Sequence, residues 1–173
     1  MNDFENIYDA YNEMVYNVAL NYVQQIEDAE EITQDVFLKV FKRIKNFDGK
    51  STLKTWVYRI TINASLDFIR KKKRRPIFQS LFYEDRGLKN VVDIKHPGII
   101  LEQKEAYNAL FRAMNRLPER QKTVILLLKT EGLSIKEAAA IMNLKNKALE
   151  SLFHRAKQKF LKEHQKEKDE KGV

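Results

Sequence analysis

Apolar residues recur at three- and four-residue steps along most of the chain, the period of helices that bury one face. Phe4, Ile7, Tyr8, Tyr11, Val15, Val18, Ala19 and Tyr22 form the first such stripe. Asp28-Ala-Glu-Glu31 then reads as a cap acid with a Glu three residues on, in the manner of a capping box. It opens a helix whose apolar side is Ile32, Val36, Phe37, Val40, Phe41 and Ile44. After the loop Asn46–Lys50, Ser51 or Thr52 is placed to cap a third helix that runs to about Arg74. Two later helical patterns cover about 102–116 and 119–130, punctuated by Pro118 and Gly132. The intervening residues, 76–101, contain Pro76, Gly87, Pro97 and Gly98 and sustain no period. They read as a linker between two small helical domains, 1–75 and 102–173, and the fold class is all-α. Ile77, Phe78, Leu81, Phe82, Val91, Val92 and Ile94 suit a linker that docks on a partner better than a bare tether. The tail KEHQKEKDEKGV is low in complexity and is expected to fray.

The sharpest local signal lies in the second domain. Ser134-Ile-Lys-Glu137 is a capping box, in which the hydroxyl takes a backbone N–H and the carboxylate reaches back. The short helix it starts carries Ala138, Ala139 and Met142, small enough for a close helix crossing, and ends at Asn143, a residue that tolerates left-handed geometry. In the next helix Leu149, Leu152, Phe153, Ala156 and Phe160 share one face. These positions together match a helix-turn-helix over residues 135–154. Its outer side would be Lys147, Ala148, Glu150, Ser151, His154, Arg155 and Gln158. Residues near the start of such a helix meet base edges, and Arg155, Lys157 and Lys159 are placed to meet phosphates.

Charge sharpens this picture. The net charge is +8, but residues 1–41 carry −8, residues 42–75 carry +10, residues 76–101 balance, and residues 102–173 carry +6. An acidic stretch followed by a concentrated basic one implies two partners of opposite character, one of them a polyanion. Cysteine is absent, which excludes disulfides, thiol chemistry and Cys-based zinc sites. The histidines, His96, His154 and His164, are scattered, and five glycines leave no phosphate loop. No cofactor or metal is expected. No apolar run reaches the length of a membrane span, and the first residues lack a secretory pattern, so a cytoplasmic protein without membrane insertion is expected.

Asp28-Ala-Glu-Glu-Ile-Thr-Gln-Asp-Val-Phe37, Phe47-Asp-Gly-Lys-Ser-Thr-Leu-Lys-Thr-Trp-Val-Tyr-Arg-Ile60, Asn63 and Asp67-Phe-Ile-Arg70 resemble region 2 of the extracytoplasmic-function (group 4) sigma factors of the sigma-70 superfamily. Leu117-Pro-Glu-Arg-Gln121, Glu131-Gly-Leu-Ser134 and His154-Arg-Ala-Lys157 resemble their region 4. The resemblance implies a non-enzymatic initiation factor that binds core RNA polymerase and recognises promoter −10 and −35 elements, as double-stranded and as melted DNA. It implies polymerase docking through the helix at 28–45, with Gln34, Asp35, Leu38 and Lys39 as its contacts. It implies capture of a flipped −10 base by the loop Phe47, Asp48, Gly49, Lys50, Ser51, Thr52 and Leu53 together with Asn63. Trp56, Tyr58 and Arg59 match the helix beside the melting site, although a large aromatic such as Trp56 more often anchors a core. Arg70 through Arg75 would hold phosphates. Lys145, Lys147, Glu150, Ser151, His154 and Arg155 would face the −35 element. An anti-sigma factor is a further candidate partner, because the family is commonly held inactive that way. One departure stands out: Glu150 and Leu152 occupy positions that are commonly cationic in the family.

Two other functions compete. A helix-turn-helix regulator that never docks into the polymerase would leave the acidic-then-basic split of residues 1–75 unexplained. An enzyme acting on DNA would need a metal-binding carboxylate pair, an activated nucleophile or a phosphate loop, and the sequence shows none of these.

Overall fold

A computed structural model describes residues 3–74 and 101–171, and the expected linker lies outside them apart from residue 101. The chain divides into two compact units, Met1–Val91 and Val92–Val173. Every regular element among the described residues is helical.

The first unit packs three helices, α1 (Asp3–Val23), α2 (Ile26–Arg43) and α3 (Leu53–Arg74), each against the other two. Their stripes meet in a core of Ile7, Val15, Ala19, Ile32, Val36, Val40, Val57 and Ile60. Burying each of the larger side chains contributes about 1.5–3 kcal/mol. Where α3 enters this core it carries hydroxyls, and none is wasted: Thr61 Oγ1 donates to the Val57 carbonyl and Ser65 Oγ to the Thr61 carbonyl. Each takes a carbonyl one turn back, so small polar residues are buried without an orphaned group.

The helix starts differ from expectation in one case and resolve an open choice in another. Asp28 does not cap α2. The helix begins at Ile26 with Gln25 in the cap position and no side-chain cap bond. Asp28 lies in the first turn and pairs with Lys72 from the end of α3. A carboxylate there still favours the helix dipole, but its partner is tertiary. For α3 the cap is Thr52, whose Oγ1 accepts the Thr55 N–H at 3.1 Å.

The second unit contains α4 (Leu101–Asn115), α5 (Glu119–Ile125), α6 (Ile135–Met142) and α7 (Asn146–Lys171). A wider π-type turn, Leu126–Thr130, continues α5. Gly132 follows it in the left-handed region, and the Leu133 N–H returns to the Leu127 carbonyl. Leu127, Val124, Ala138, Ala139, Leu149 and Ala156 are buried together as the interior of this unit. The tail does not fray as expected: α7 remains helical to Lys171. Glu167, only 3% exposed, explains why. Arg112 Nε donates to its Oε2 at 2.6 Å, and Arg116 Nη2 lies 2.6 Å from its Oε1, so the tail is clasped to α4.

Candidate functional site

On α2, Gln34, Asp35 and Leu38 are exposed and Lys39 is half-buried. Leu38 keeps 57% of its surface in solvent and Phe41, one turn on, keeps 55%. The sequence stripe assigned Phe41 to the core. Instead its ring meets that of Phe4 edge-on at 5.2 Å, at the rim of the packed interior. The three-residue step from Leu38 was the available signal for this placement. Two large apolar side chains side by side, bordered by exposed Glu31 and Asp35, make a face suited to a protein partner. Glu27 and Glu30 extend the acidity toward α1. The half-buried Tyr16 hydroxyl is held above its ordinary pKa by burial first, and then by Glu30 and Glu27.

The loop before α3 is a tight polar turn. Asp48 accepts the Lys50 N–H at 3.2 Å and pairs with the Lys50 ammonium at 2.7 Å, while Gly49 adopts φ +69° between them. Those contacts hold the Asp48 carboxyl below its ordinary pKa, chiefly through the side-chain bond from Lys50. Phe47, Ser51 and Leu53 are half-buried, and Asp48, Gly49, Lys50 and Thr52 are exposed. The Phe47 ring sits 5.3 Å from that of Trp56, which is half-buried against the core. Trp56 is thus both an anchor and the floor of the loop. Tyr58 is a core residue, 3% exposed. Arg59, Asn63, Asp67 and Arg70 follow at helical steps along the accessible side of α3, with Asn63 exposed and Arg59 half-buried.

The cationic end of α3 is not a uniform phosphate comb. Arg70 Nη1 lies 3.1 Å from the Asp67 carboxylate. Lys72 Nζ is held by Asp28 and by Gln25 Oε1, the latter at 3.1 Å, and tacks α3 onto the start of α2. Lys71, Lys73 and Arg74 are exposed. Arg75, which completes the expected run, lies outside the described residues.

In the second unit the capping box is complete. Ser134 Oγ accepts the Glu137 N–H at 3.2 Å, and the Ser134 N–H donates to Glu137 Oε2 at 2.9 Å. Asn143 ends α6 at φ +52°, and the Leu144 N–H closes back on the Ala139 carbonyl. This reverses the chain in three residues and aims α7 across α6. Leu149 and Ala156 are fully buried, with Leu152, Phe153 and Phe160 half-buried beside them. The opposite side is open: Lys145, Lys147, Ala148, Glu150, Ser151, His154, Arg155 and Gln158 are all exposed. Arg155 Nε donates to the Ser151 carbonyl at 3.3 Å, which lays the guanidinium back along the helix toward its start. Lys129, on the turn after α5, stands 5.8 Å from the Phe153 ring centre and covers the flank of α7. Among the described residues no group of His, Asp and Glu could hold a metal ion, and no helix is long and apolar enough to cross a membrane.

An acidic, partly apolar helix face, a polar loop beside a cationic helix end and a helix-turn-helix have counterparts in known proteins. The family model for sigma-70 region 2 matches residues 7–75, and that for sigma-70 region 4 matches residues 107–160. The chain belongs to the sigma-70 family, in its extracytoplasmic-function class. Among its relatives is the extracytoplasmic-function RNA polymerase sigma factor SigW of Bacillus subtilis, 28% identical over 164 residues that cover 92% of this chain and 88% of SigW. The extracytoplasmic-function sigma-E factor of Escherichia coli is 28% identical over 154 residues, covering 86% of this chain and 79% of that protein. Among solved structures, the sigma factor RpoE bound to the anti-sigma factor NepR of Bartonella quintana shares the fold, with TM-score 0.64, 22% identity, and coverage of 94% of this chain and 97% of that one. CnrH bound to the cytosolic domain of CnrY also shares it, with TM-score 0.61, 21% identity, and coverage of 91% and 84%. As a sigma-70 family member the chain carries regions 2 and 4 in the family's order, one match falling in each compact unit.

Proposed function

We propose that this chain is a cytoplasmic promoter-specificity factor, without catalytic chemistry of its own, that joins core RNA polymerase and directs it to its promoters. The observation that carries the reading is the presence of both sigma-70 regions, in order, one on each of two helical units. In this reading Gln34, Asp35, Leu38 and Lys39 dock on the polymerase, and the exposed Phe41 extends that contact. Apolar area at the centre of such a patch supplies affinity, while the acidic rim supplies steering and register.

Once the strands part, the loop 47–53 and Asn63 receive an unstacked −10 base. The Asn63 amide can both donate and accept at a base edge, and the loop can close around a single nucleotide. Arg59 and the exposed cations at the end of α3 neutralise the neighbouring phosphates. In the second unit α7 enters the major groove of the −35 element with Lys145, Lys147, Glu150, Ser151, His154 and Arg155 facing the DNA. An anti-sigma protein that covers these surfaces would keep the factor off the polymerase; the structural relative RpoE is itself bound to an anti-sigma factor, NepR. Run-off transcription from a genomic promoter library with purified core polymerase tests the whole reading. Promoter-directed transcripts that require this chain are expected, and their absence would return it to the class of stand-alone DNA binders.

A further inference from the structure

The C-terminal part of α7 lies past the region 4 match, which ends at residue 160, yet it is folded and clasped to α4. Its sequence mixes both signs of charge, and the fold separates them. The acids Glu163 and Glu167 turn inward, 13% and 3% exposed at their side chains, against Arg116 and Arg112. The cations turn outward: Lys159, Lys162 and Lys166 are exposed, with the Lys166 ammonium 3.4 Å from the Glu163 carboxylate at the edge of the stripe. With about 100° between successive residues, Arg155, Lys159, Lys162 and Lys166 all lie within about 80° of Ser151 around the helix axis. They therefore prolong the same side of α7 that carries the base-reading positions. From Arg155 to Lys166 the stripe is about 16 Å long at 1.5 Å per residue. Asp169, bonded by Gln165 at 2.9 Å, returns an acid to that side and ends it.

We infer that this stripe is a second DNA-contacting surface, which grips duplex phosphates flanking the −35 element where α7 leaves the groove. A major groove is only about 12 Å wide, so a helix of 26 residues must project beyond it. The part that projects here is lined with lysines rather than with alternating signs. The placement also answers the departure at Glu150 and Leu152, because cations missing early in the helix are supplied along its later turns. The clasp at Glu167 gives the stripe a fixed direction, which a frayed tail would not have. The inference rests on the reading of this chain as a promoter-specificity factor and carries its phosphate contacts on past the family match, to Lys162 and Lys166.

The test uses full-length Lys159→Gln/Lys162→Gln/Lys166→Gln, assembled with core polymerase and bound to promoter duplexes over a range of salt concentrations. Each lost phosphate contact lowers the log–log salt slope by about 0.9, so a fall of about 2–3 is expected. Affinity should drop alike for all −35 sequences without changing their ranking, and core affinity and helicity should stay at wild-type values. Duplexes trimmed at the flank beyond the −35 element should weaken the wild type and leave the variant unaffected. An unchanged salt slope, a changed −35 ranking, or a loss traced to weaker core binding would overturn the inference while leaving the promoter-specificity reading in place. A wild-type holoenzyme that shows no promoter-directed binding would overturn both.

Discussion

Asn143 is the residue on which the helix-turn-helix reversal depends. At φ +52° a residue with a β-carbon is strained unless a short polar side chain relieves it, and Asn is among the few that tolerate the region. Asn143→Ala should lower stability by about 1 kcal/mol and Asn143→Gly should leave it near wild type, read from urea midpoints. Asp48 offers a second check at this scale. Its pKa in the fold is lowered by Lys50, so the turn's contribution is complete above the unfolded carboxyl pKa. It is lost only as pH falls through the lowered folded value. The Lys50 amide resonance should therefore titrate below the ordinary carboxylate range, and a midpoint at or above that range would show that the pair does not persist in solution. Asn63 is exposed on α3 and holds no place in the core. Asn63→Ala should consequently reduce strand opening, seen as weaker permanganate reactivity in the melted region, while binding to a −35 duplex stays unchanged.

Helices join these residues into surfaces, and their ends are set by contacts that distant segments supply. Lys72 reaches back 44 positions to Asp28, so the end of α3 and the start of α2 are one assembly. The 55-residue pairing of Arg112 with Glu167 does the same for α4 and α7. Glu167→Gln leaves Arg112 and Arg116 without their buried carboxylate, and a loss of about 1–3 kcal/mol is expected for the second unit, measured by chemical denaturation. On α2, Asp35 is exposed and lies one turn from Leu38. Asp35→Arg reverses charge at the rim of the apolar face without touching the core. It should weaken core polymerase binding in a competition assay at unchanged helicity, mainly through a slower, more salt-sensitive association. If affinity were unaltered, the docking face would have to be moved off α2.

At the level of the whole molecule, two units divide the work of recognition. In the proposed reading the second meets duplex DNA through the open side of α7, where Glu150, Ser151 and His154 would face bases and each mismatch would be worth about 1–3 kcal/mol. Glu150→Ala should shift the preferred −35 sequence, because a carboxylate that accepts from cytosine also rejects a neighbouring acceptor. Arg155→Ala should lower occupancy across promoters without shifting that preference. A promoter-library selection separates the two results. An unshifted preference in the Glu150, Ser151 and His154 alanine variants would assign sequence choice to the −10 end instead.

Much of this was legible before any coordinates. The helical period, the capping box at Ser134, the turn residue Asn143 and the inward stripe of α7 depend on neighbours within four or five positions, and such short-range terms can be read directly from the chain. The region 2 and region 4 motifs likewise carry their residue order with them. Tertiary structure decided where charge and exposure finally lie. It moved Asp28 from a cap to an ion pair, left Phe41 at the rim, withdrew Lys72 from the phosphate-facing run, and turned a mixed-charge tail into a helix with acids inside and lysines outside. Each of those outcomes depends on a partner dozens of residues away, and a desolvated charge takes whichever counter-charge the packing brings within reach.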